Sequence, residues 1–201
     1  MSSIGNKTKL GLELPTDPRW VKMAEMSIAD ILTDHAYCEQ KAATACISLI
    51  QLHHDRVELI DEVSPVVTEE WGHFRMVIKE LRKRGYPLGP QRKDLYVQSL
   101  MKYQRKGGSR EDQLVEKLLT CALIEARSAE RFRLLSLHIS DDSLKDFYHQ
   151  FMVSEAGHYK MFLRLAKLYG NEEKVSIRWK EYLAYEAEML SQMSPDGTKM
   201  H

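Results

Sequence analysis

Two short motifs in this sequence place a glutamate and a histidine three residues apart within helical patterns. One is EEWGHF, with Glu70 and His73, and the other is SEAGHY, with Glu155 and His158. Residues i and i+3 lie on the same face of an α-helix, so each pair can offer a carboxylate oxygen and an imidazole nitrogen to one metal ion. A single Glu-x-x-His pair is common on helix surfaces and is weak evidence by itself.

Both motifs belong to an internal repeat, in which a lone glutamate precedes each Glu-x-x-His pair. Glu39, in AYCEQKAA, lies 31 residues before Glu70. Glu125, in ALIEARSA, lies 30 residues before Glu155. The two lone-glutamate segments are offset by 86 residues and the two Glu-x-x-His motifs by 85. If antiparallel helices with equal arms carry each set, all these side chains reach one layer of a helical core.

This set of side chains favours a pair of iron or manganese ions. Four buried carboxylates without cations would each carry a large desolvation penalty, and two divalent ions balance their charge. One glutamate from each of two helices, with Glu-x-x-His from each of the other two, is the ligand pattern of ferritin-like dimetal carboxylate proteins. Such oxygen and nitrogen ligands suit iron or manganese better than zinc or copper. The predicted metal ligands, which would be catalytic through the metals, are Glu39, Glu70, His73, Glu125, Glu155 and His158.

The elements that must position these ligands are long helices. Gly and Pro are scarce, and long segments are rich in helix-forming residues, which favours an all-α protein. Turn signals divide the chain at HHDRVE (53–58), at a basic connection over 85–109, at ISDDS (139–143) and at Gly170. We therefore predict a ferritin-like four-helix bundle with a long crossover between helices 2 and 3 and an additional C-terminal helix.

Capping signals predict where these helices begin and end. Asp17 before a proline marks the start of a first helix that continues to the turn at 53–58. Asp55 has capping-box spacing for the second helix, in which Pro65 should cause a kink or bulge. Ser109 should cap the third helix, and a short helix is expected in DLYVQSLMKY of the connection.

The length of 201 residues suits one domain with a substantial core. We predict a flexible N-terminal tail over 1–16, a single ferritin-like diiron domain over 17–193 and a flexible C-terminal tail over 194–201. The three cysteines form no C-x-x-C pair and are typical of reduced core cysteines in a cytoplasmic protein. No segment reaches roughly 18 consecutive apolar residues, and the first residues lack a signal-peptide pattern, so we expect no membrane partner.

Three longer strings resemble one enzyme family. ILTDHAYCEQKAA (31–43), LIEARSAERF (123–132) and SEAGHYKMFLRLAK (154–167) are similar to the corresponding motifs of the MiaE family, the tRNA 2-methylthio-N6-isopentenyladenosine hydroxylases. The resemblance implies a non-haem diiron monooxygenase with two iron ions (Fe²⁺/Fe³⁺) and O₂ as co-substrate. It implies hydroxylation of the isopentenyl group of a modified adenosine next to the tRNA anticodon, with electrons from an external donor, in the cytoplasm.

Neighbours of the predicted ligands are candidates for a substrate pocket. Ala42 and Ser128 lie three positions after the two lone glutamates, where small side chains leave space for oxygen or substrate or allow close helix packing. His35 lies one turn before Glu39. It fits a pocket-lining residue, a contact to the ligand glutamate, or an ordinary hydrogen-bonded buried histidine.

The charge pattern gives limited support for an RNA partner. The formal net charge is zero, so bulk charge indicates no polyanion. Basic residues and tyrosines nevertheless alternate around the crossover, where they could contact phosphates and stack on loop bases. A solvated helix end explains the same pattern. With the resemblance, we predict binding of a tRNA anticodon stem-loop through Arg82, Lys83, Arg84, Arg92, Lys93, Lys102, Arg105 and Lys106.

Several alternatives use the same fold. A ferritin-like iron-binding or ferroxidase protein would assemble into a shell, whereas we expect a monomer or small homo-oligomer. A quinone-ring diiron hydroxylase would need an apolar membrane-facing surface, but the crossover is basic and polar. A structural bundle with a metal-free Glu/His layer would bind no iron.

Overall fold

The computed structural model describes residues 8–201. That part of the chain contains seven α-helices and no strand, which confirms the all-α prediction. The helices are α1 (Arg19–Glu25), α2 (Ile28–Leu52), α3 (Val57–Lys83), α4 (Leu95–Tyr103), α5 (Arg110–His138), α6 (Asp142–Tyr169) and α7 (Glu172–Ser191). Not one of these helices is long and apolar enough to span a membrane.

Two compact units make up the described chain. The larger unit contains α4 to α7, and the smaller unit, Lys22–Lys93 with Asp196–Met200, contains α2 and α3. The prediction of a single domain over 17–193 remains a prediction.

The smaller unit is a hairpin of the two long helices α2 and α3. Apolar side chains recur every three or four residues on each helix, as an amphipathic helix requires. Among the buried ones are Leu32 and Leu49 from α2 and Leu59 and Val77 from α3. The turn falls at residues 53–56, as predicted. The helix α3 continues past Pro65, which lies on an exposed position.

Two predicted details of this hairpin are wrong. The first helix is not continuous from Asp17, because α1 ends at Glu25 and α2 begins only at Ile28. The N-cap of α3 is Arg56, without a side-chain cap hydrogen bond, so the capping-box spacing at Asp55 is not used.

The larger unit is organised around α5, which contacts α4, α6 and α7. The predicted cap of α5 is confirmed, because the Ser109 hydroxyl accepts from the Asp112 backbone N–H at 3.0 Å and the Asp112 carboxylate accepts from the Ser109 backbone N–H at 2.9 Å. Gly170 follows α6 as predicted, but its φ of −114° is ordinary extended backbone. Glycine is needed there for space, since a Cβ would lie 2.6 Å from a methyl carbon of Val175.

The crossover contains the predicted short helix. Asp94 caps α4 by accepting from the backbone N–H of Val97 at 3.0 Å. After α4, Gly107 and Gly108 adopt φ values of 85° and 81°, a region that glycine enters without strain, and the chain turns there into α5.

Both segments predicted as tails contribute buried contacts. Residues 1–7 of the N-terminal segment lie outside the described residues, but Leu12 is fully buried and the Leu14 carbonyl accepts from Arg127 at 2.9 Å. In the C-terminal segment, Met200 is buried and its backbone N–H donates to Asp34 at 2.8 Å. The sequence of these polar segments could not predict such contacts, because the contacts depend on a few backbone groups rather than on an apolar pattern.

Candidate metal centre

Three buried side chains of the α2–α3 hairpin form a first triad: Glu39, Glu70 and His73. Each offers a potential ligand atom within 4.8 Å of the others. The Nδ1 atom of His73 lies 3.3 Å from a Glu70 carboxylate oxygen and 3.6 Å from a Glu39 carboxylate oxygen. The i,i+3 spacing puts Glu70 and His73 on one face of α3, and the turn at 53–56 brings Glu39 of α2 opposite them.

The larger unit contains a second triad of the same composition: Glu125 on α5, with Glu155 and His158 on α6. All three side chains are buried, and their potential ligand atoms lie within 4.8 Å of one another. His158 Nδ1 is 3.5 Å from a Glu155 carboxylate oxygen. The internal repeat of the sequence therefore corresponds to two triads, each with two carboxylates and one imidazole on a helical hairpin.

The chemistry of the two triads fits a transition metal. The carboxylates are almost fully removed from water, with Glu70 0% and Glu155 2% exposed. Buried carboxylates in such number are stable only with compensating positive charge, which a divalent ion supplies. Carboxylate oxygens and imidazole nitrogens are ligands that iron accepts. The carboxylate and histidine clusters are thus compatible with iron binding.

His35 contacts a predicted metal ligand directly. Its ring is fully buried, and Nε2 lies 2.6 Å from one carboxylate oxygen of Glu39. The other Glu39 oxygen is the one near His73. A hydrogen bond from a neighbour to the outer oxygen of a ligand carboxylate fixes its rotamer and keeps the inner oxygen directed at the metal. Among the three roles open for His35, this geometry supports the contact to the ligand glutamate.

The two small residues predicted near the ligands have different environments. Ala42 is partly exposed on α2. Ser128 is buried on α5, and its hydroxyl lies 2.8 Å from Nε2 of His201, whose ring stacks on Tyr96. The hydroxyl of Ser128, which was predicted to line the substrate pocket, is thus hydrogen-bonded to His201.

A buried ion-pair network in the larger unit was not predicted. Arg127 on α5 is 0% exposed and forms two hydrogen bonds to the Glu186 carboxylate on α7, at 2.7 and 2.8 Å. Glu130 accepts from the same guanidinium at 3.2 Å, and the Tyr96 hydroxyl on α4 donates to Glu186 at 3.0 Å. The available signal was an arginine and a glutamate at i,i+3 spacing within IEARSAERF, in a helix with apolar residues on most sides.

Burial and charge act together on the ionisation of this network. Burial lowers the pKa of Arg127, but hydrogen bonds and charge from Glu186 outweigh it and hold that pKa above its ordinary value. Burial and the Glu186 charge raise the pKa of Tyr96 well above its usual range. Burial, assisted by the Arg127 charge, lowers the pKa of Arg131 to about 10. Arg127 and Glu186 are therefore a charged pair that ties α7 to the helix that carries Glu125.

The candidate RNA contacts have two kinds of surroundings. Four of the eight have acidic partners that balance part of their charge: Lys83 and Arg84 with Glu80, Arg92 with Asp30, and Arg105 with Glu181. The other four are exposed: Arg82, Lys93, Lys102 and Lys106.

Comparisons with known proteins give consistent matches. The family model of MiaE, described as tRNA-(MS[2]IO[6]A)-hydroxylase, matches residues 4–201. A tRNA 2-(methylsulfanyl)-N(6)-isopentenyladenosine(37) hydroxylase from Pseudomonas putida is 38% identical over 185 residues, which cover 92% of this chain and 88% of the relative. The protein of the same description from Salmonella typhimurium is 26% identical over 234 residues, covering 92% and 84%.

A solved structure is similar over nearly the whole chain. "Protein 43 with aldehyde deformylating oxygenase activity from Synechococcus" matches with a TM-score of 0.88 and 31% identity, covering 94% of each chain.

The helical architecture, the buried triads and these matches agree with one another. It is an all-α protein with the ferritin-like four-helix fold, the crossover and the additional C-terminal helix that the sequence predicts. It carries buried carboxylate and histidine clusters compatible with iron. The chain belongs to the MiaE family of tRNA hydroxylases, and it is an enzyme of the oxidoreductase class.

Proposed function

We propose that this chain hydroxylates the isopentenyl group of 2-(methylsulfanyl)-N6-isopentenyladenosine next to the tRNA anticodon, with O₂ and an external electron donor. The observation that carries the proposal is the pair of buried triads in a member of a tRNA hydroxylase family. The names of the two relatives supply the nucleoside and its position in tRNA.

The proposed cofactor is a pair of iron ions, with one ion on each triad. The ligands would be Glu39, Glu70, His73, Glu125, Glu155 and His158. Bound iron would supply the redox chemistry by which O₂ is activated for insertion into an allylic C–H bond of the isopentenyl group.

The protein's own contribution is to hold the ligands and exclude water. Burial of both triads strengthens every electrostatic interaction within them, because the local dielectric is low. His35 keeps one Glu39 oxygen occupied, so that the other stays directed toward His73. In the larger unit, the Arg127–Glu186 pair fixes α5 two residues after Glu125.

The hydroxylase is a better proposal than the alternatives that the sequence left open. A storage or ferroxidase role and a quinone-ring hydroxylase share the iron ligands, but neither accounts for the match to tRNA hydroxylases. A tRNA substrate also supports a cytoplasmic location. A monomer or small homo-oligomer remains our prediction, which size-exclusion chromatography with light scattering would test.

The experiment that tests the function is nucleoside mass spectrometry of tRNA from a strain that lacks the gene. We expect the hydroxylated prenyl-adenosine to be absent and its unhydroxylated precursor to accumulate. The gene for the intact chain should restore the product, whereas Glu155→Ala should not. Unchanged levels of the hydroxylated nucleoside in the deletion strain would contradict the proposal.

A further inference from the structure

One exposed face of α3 combines an aromatic pair with a row of basic residues. Trp71 is 47% exposed, and its ring stacks on Phe74 with centroids 4.9 Å apart and an interplanar angle of 22°. Arg75, Lys79 and Arg82 follow Trp71 at intervals of four, four and three residues, which keeps them on the same side of the helix. We call these five residues the α3 outer face.

The three basic side chains of this face carry unbalanced charge. Within residues 8–201, the side chains of Arg75, Lys79 and Arg82 make no hydrogen bond or ion pair. The neighbouring Lys83 and Arg84 differ, because both contact Glu80. Three uncompensated charges along one helix attract a polyanion.

The internal repeat supplies a natural comparison for the basic row. The 85-residue offset between the Glu-x-x-His motifs places Lys160, Arg164 and Lys167 of α6 at the positions equivalent to the three basic residues of α3. The basic pattern is therefore present twice in the chain. At the end of the α6 row, Lys167 has an acidic partner, Glu172, at 3.4 Å.

The aromatic pair is what distinguishes the two helices. The position equivalent to Trp71 is Ala156. The position equivalent to Phe74 is Tyr159, which lies against Trp179 of α7 with ring centroids 6.0 Å apart. The aromatic residue of α6 is thus used for packing against a neighbouring helix, whereas the stack on α3 remains on an exposed surface.

The surface beside the stack is open to solvent. A groove of about 660 Å³ is lined by residues of α3, including Gly72, Phe74, Met76 and Arg82. A Cβ added at Gly72 would meet no heavy atom of the described chain within 4 Å. A planar group can therefore approach this stretch of the helix without displacing a side chain.

We infer that the α3 outer face binds the unpaired nucleotides of an RNA loop. In this arrangement the Trp71–Phe74 pair stacks on a base, and Arg75, Lys79 and Arg82 contact phosphates of neighbouring nucleotides. Aromatic rings beside a basic track are the combination by which proteins hold single-stranded RNA. The inference rests on the proposed tRNA substrate and names the surface that holds it.

The line of charges favours a nucleic-acid strand over an acidic protein. The helix rise places Arg75 and Lys79 about 6 Å apart along the axis, and Lys79 and Arg82 about 4.5 Å apart. Such a single row matches the linear series of phosphates on one strand. An acidic protein partner, such as an electron donor, would use the charges but would give the exposed aromatic stack no planar ligand.

Binding of a labelled, prenylated anticodon stem-loop to the intact, iron-loaded chain tests the inference by fluorescence anisotropy. We expect Trp71→Ala to weaken the affinity about tenfold, because one stacking contact is lost, and Trp71→Phe to retain most of it. The triple variant Arg75→Ala, Lys79→Ala, Arg82→Ala should weaken binding and reduce the slope of log affinity against log salt by about 2.

The equivalent residues of α6 provide the matched control. The triple variant Lys160→Ala, Arg164→Ala, Lys167→Ala removes the same number of charges, and it should change the affinity by less than about twofold if the α3 row is specific. Circular dichroism and iron content should be unchanged in every variant, because all the altered side chains lie at exposed positions of α3 and α6.

The binding and turnover measurements separate failure of the RNA-binding inference from failure of the proposed function. If the wild-type chain binds and hydroxylates the stem-loop, and the α3 variants bind it equally well, the inference is overturned while the proposed function stands. If the wild-type chain neither binds nor hydroxylates the stem-loop, the proposed function fails. If the α3 variants keep RNA affinity but lose turnover with a protein reductant and regain it with dithionite, the face binds the electron donor, and the RNA inference is overturned.

Discussion

Among single residues, the proposed metal centre depends on buried carboxylates that have metal-ligating neighbours. The six predicted ligands fall into two triads, and the helical spacing of Glu-x-x-His explains four of the six positions. Local spacing suggested a contact between His35 and Glu39 but could not select it over the other two roles of His35, because a histidine one turn before a glutamate occurs on many helices that bind no metal.

Removal of one ligand carboxylate should abolish metal binding without unfolding the protein. In Glu155→Ala we expect loss of bound iron and of turnover, because the second triad retains only one carboxylate and one imidazole. Elemental analysis and circular dichroism of the purified variant check this. Glu173→Ala, at an exposed position of α7, is the control and should bind iron normally. Normal iron content in Glu155→Ala would contradict the ligand assignment.

Loss of the His35 contact should weaken iron binding without removing a ligand. We expect His35→Ala to reduce iron affinity about tenfold or more, as for other residues that orient metal ligands. His35→Gln should recover part of the loss, because its amide N–H can still donate to Glu39. Competition titration of iron with a chelator measures both. Equal affinities in wild type and His35→Ala would show that the 2.6 Å contact does not position Glu39.

At the scale of elements, capping and periodicity predict the helices of the larger unit well. The Ser109 cap, the α5–α6 turn and the start of α7 all follow from local signals. The Arg127–Glu186 pair does not, because its partners are 59 residues apart in sequence and local pattern does not specify which helices meet. The break before α2 has no glycine or proline to mark it.

The Arg127–Glu186 pair should matter for stability because both groups are fully buried. Glu186→Ala leaves the guanidinium without its main partner, and we expect the free energy of unfolding to fall by about 3–5 kcal/mol. Urea denaturation measures the change. Lys145→Ala, which removes the partner of the exposed Asp142, should cost about 1 kcal/mol or less. A similar small loss for both variants would contradict a structural role for the buried pair.

A second buried ion pair, Glu116 with Arg178, should make the stability of the fold depend on pH. Burial raises the pKa of Glu116, but hydrogen bonds from Arg178, the Arg105 backbone and Tyr182 outweigh it, so the pKa lies below its usual 4.5. Ionised Glu116 therefore stabilises the fold above about pH 4.5, and this contribution is lost as the pH falls through the lower folded-state pKa.

The variant Glu116→Gln isolates this effect. At pH 7 its melting temperature should be below that of the wild type, and the difference should shrink as the pH falls below about 4.5. Thermal melts followed by circular dichroism across this range test the prediction. A difference that stays constant with pH would mean that Glu116 does not change its ionisation on folding.

At the scale of the whole molecule, the sequence could predict the fold class and the repeat that organises the site. Two triads follow from one duplicated pattern, and the family match extends over residues 4–201. Contacts of the terminal segments, such as Met200 with Asp34 and His201 with Ser128, could not be predicted. They involve single polar groups with no periodicity, and only the folded chain determines their partners.

We propose that this chain uses bound iron and O₂ to hydroxylate a prenylated adenosine in tRNA. The most direct measurement is mass spectrometry of nucleosides after the iron-loaded chain, a reductant and a prenylated anticodon stem-loop react under isotopically labelled O₂. We expect a hydroxylated isopentenyl group that carries one labelled oxygen atom, and no product from the iron-free chain. Absence of the product, or a product whose new oxygen comes from water, would show that the chain is not an O₂-dependent hydroxylase of this nucleoside.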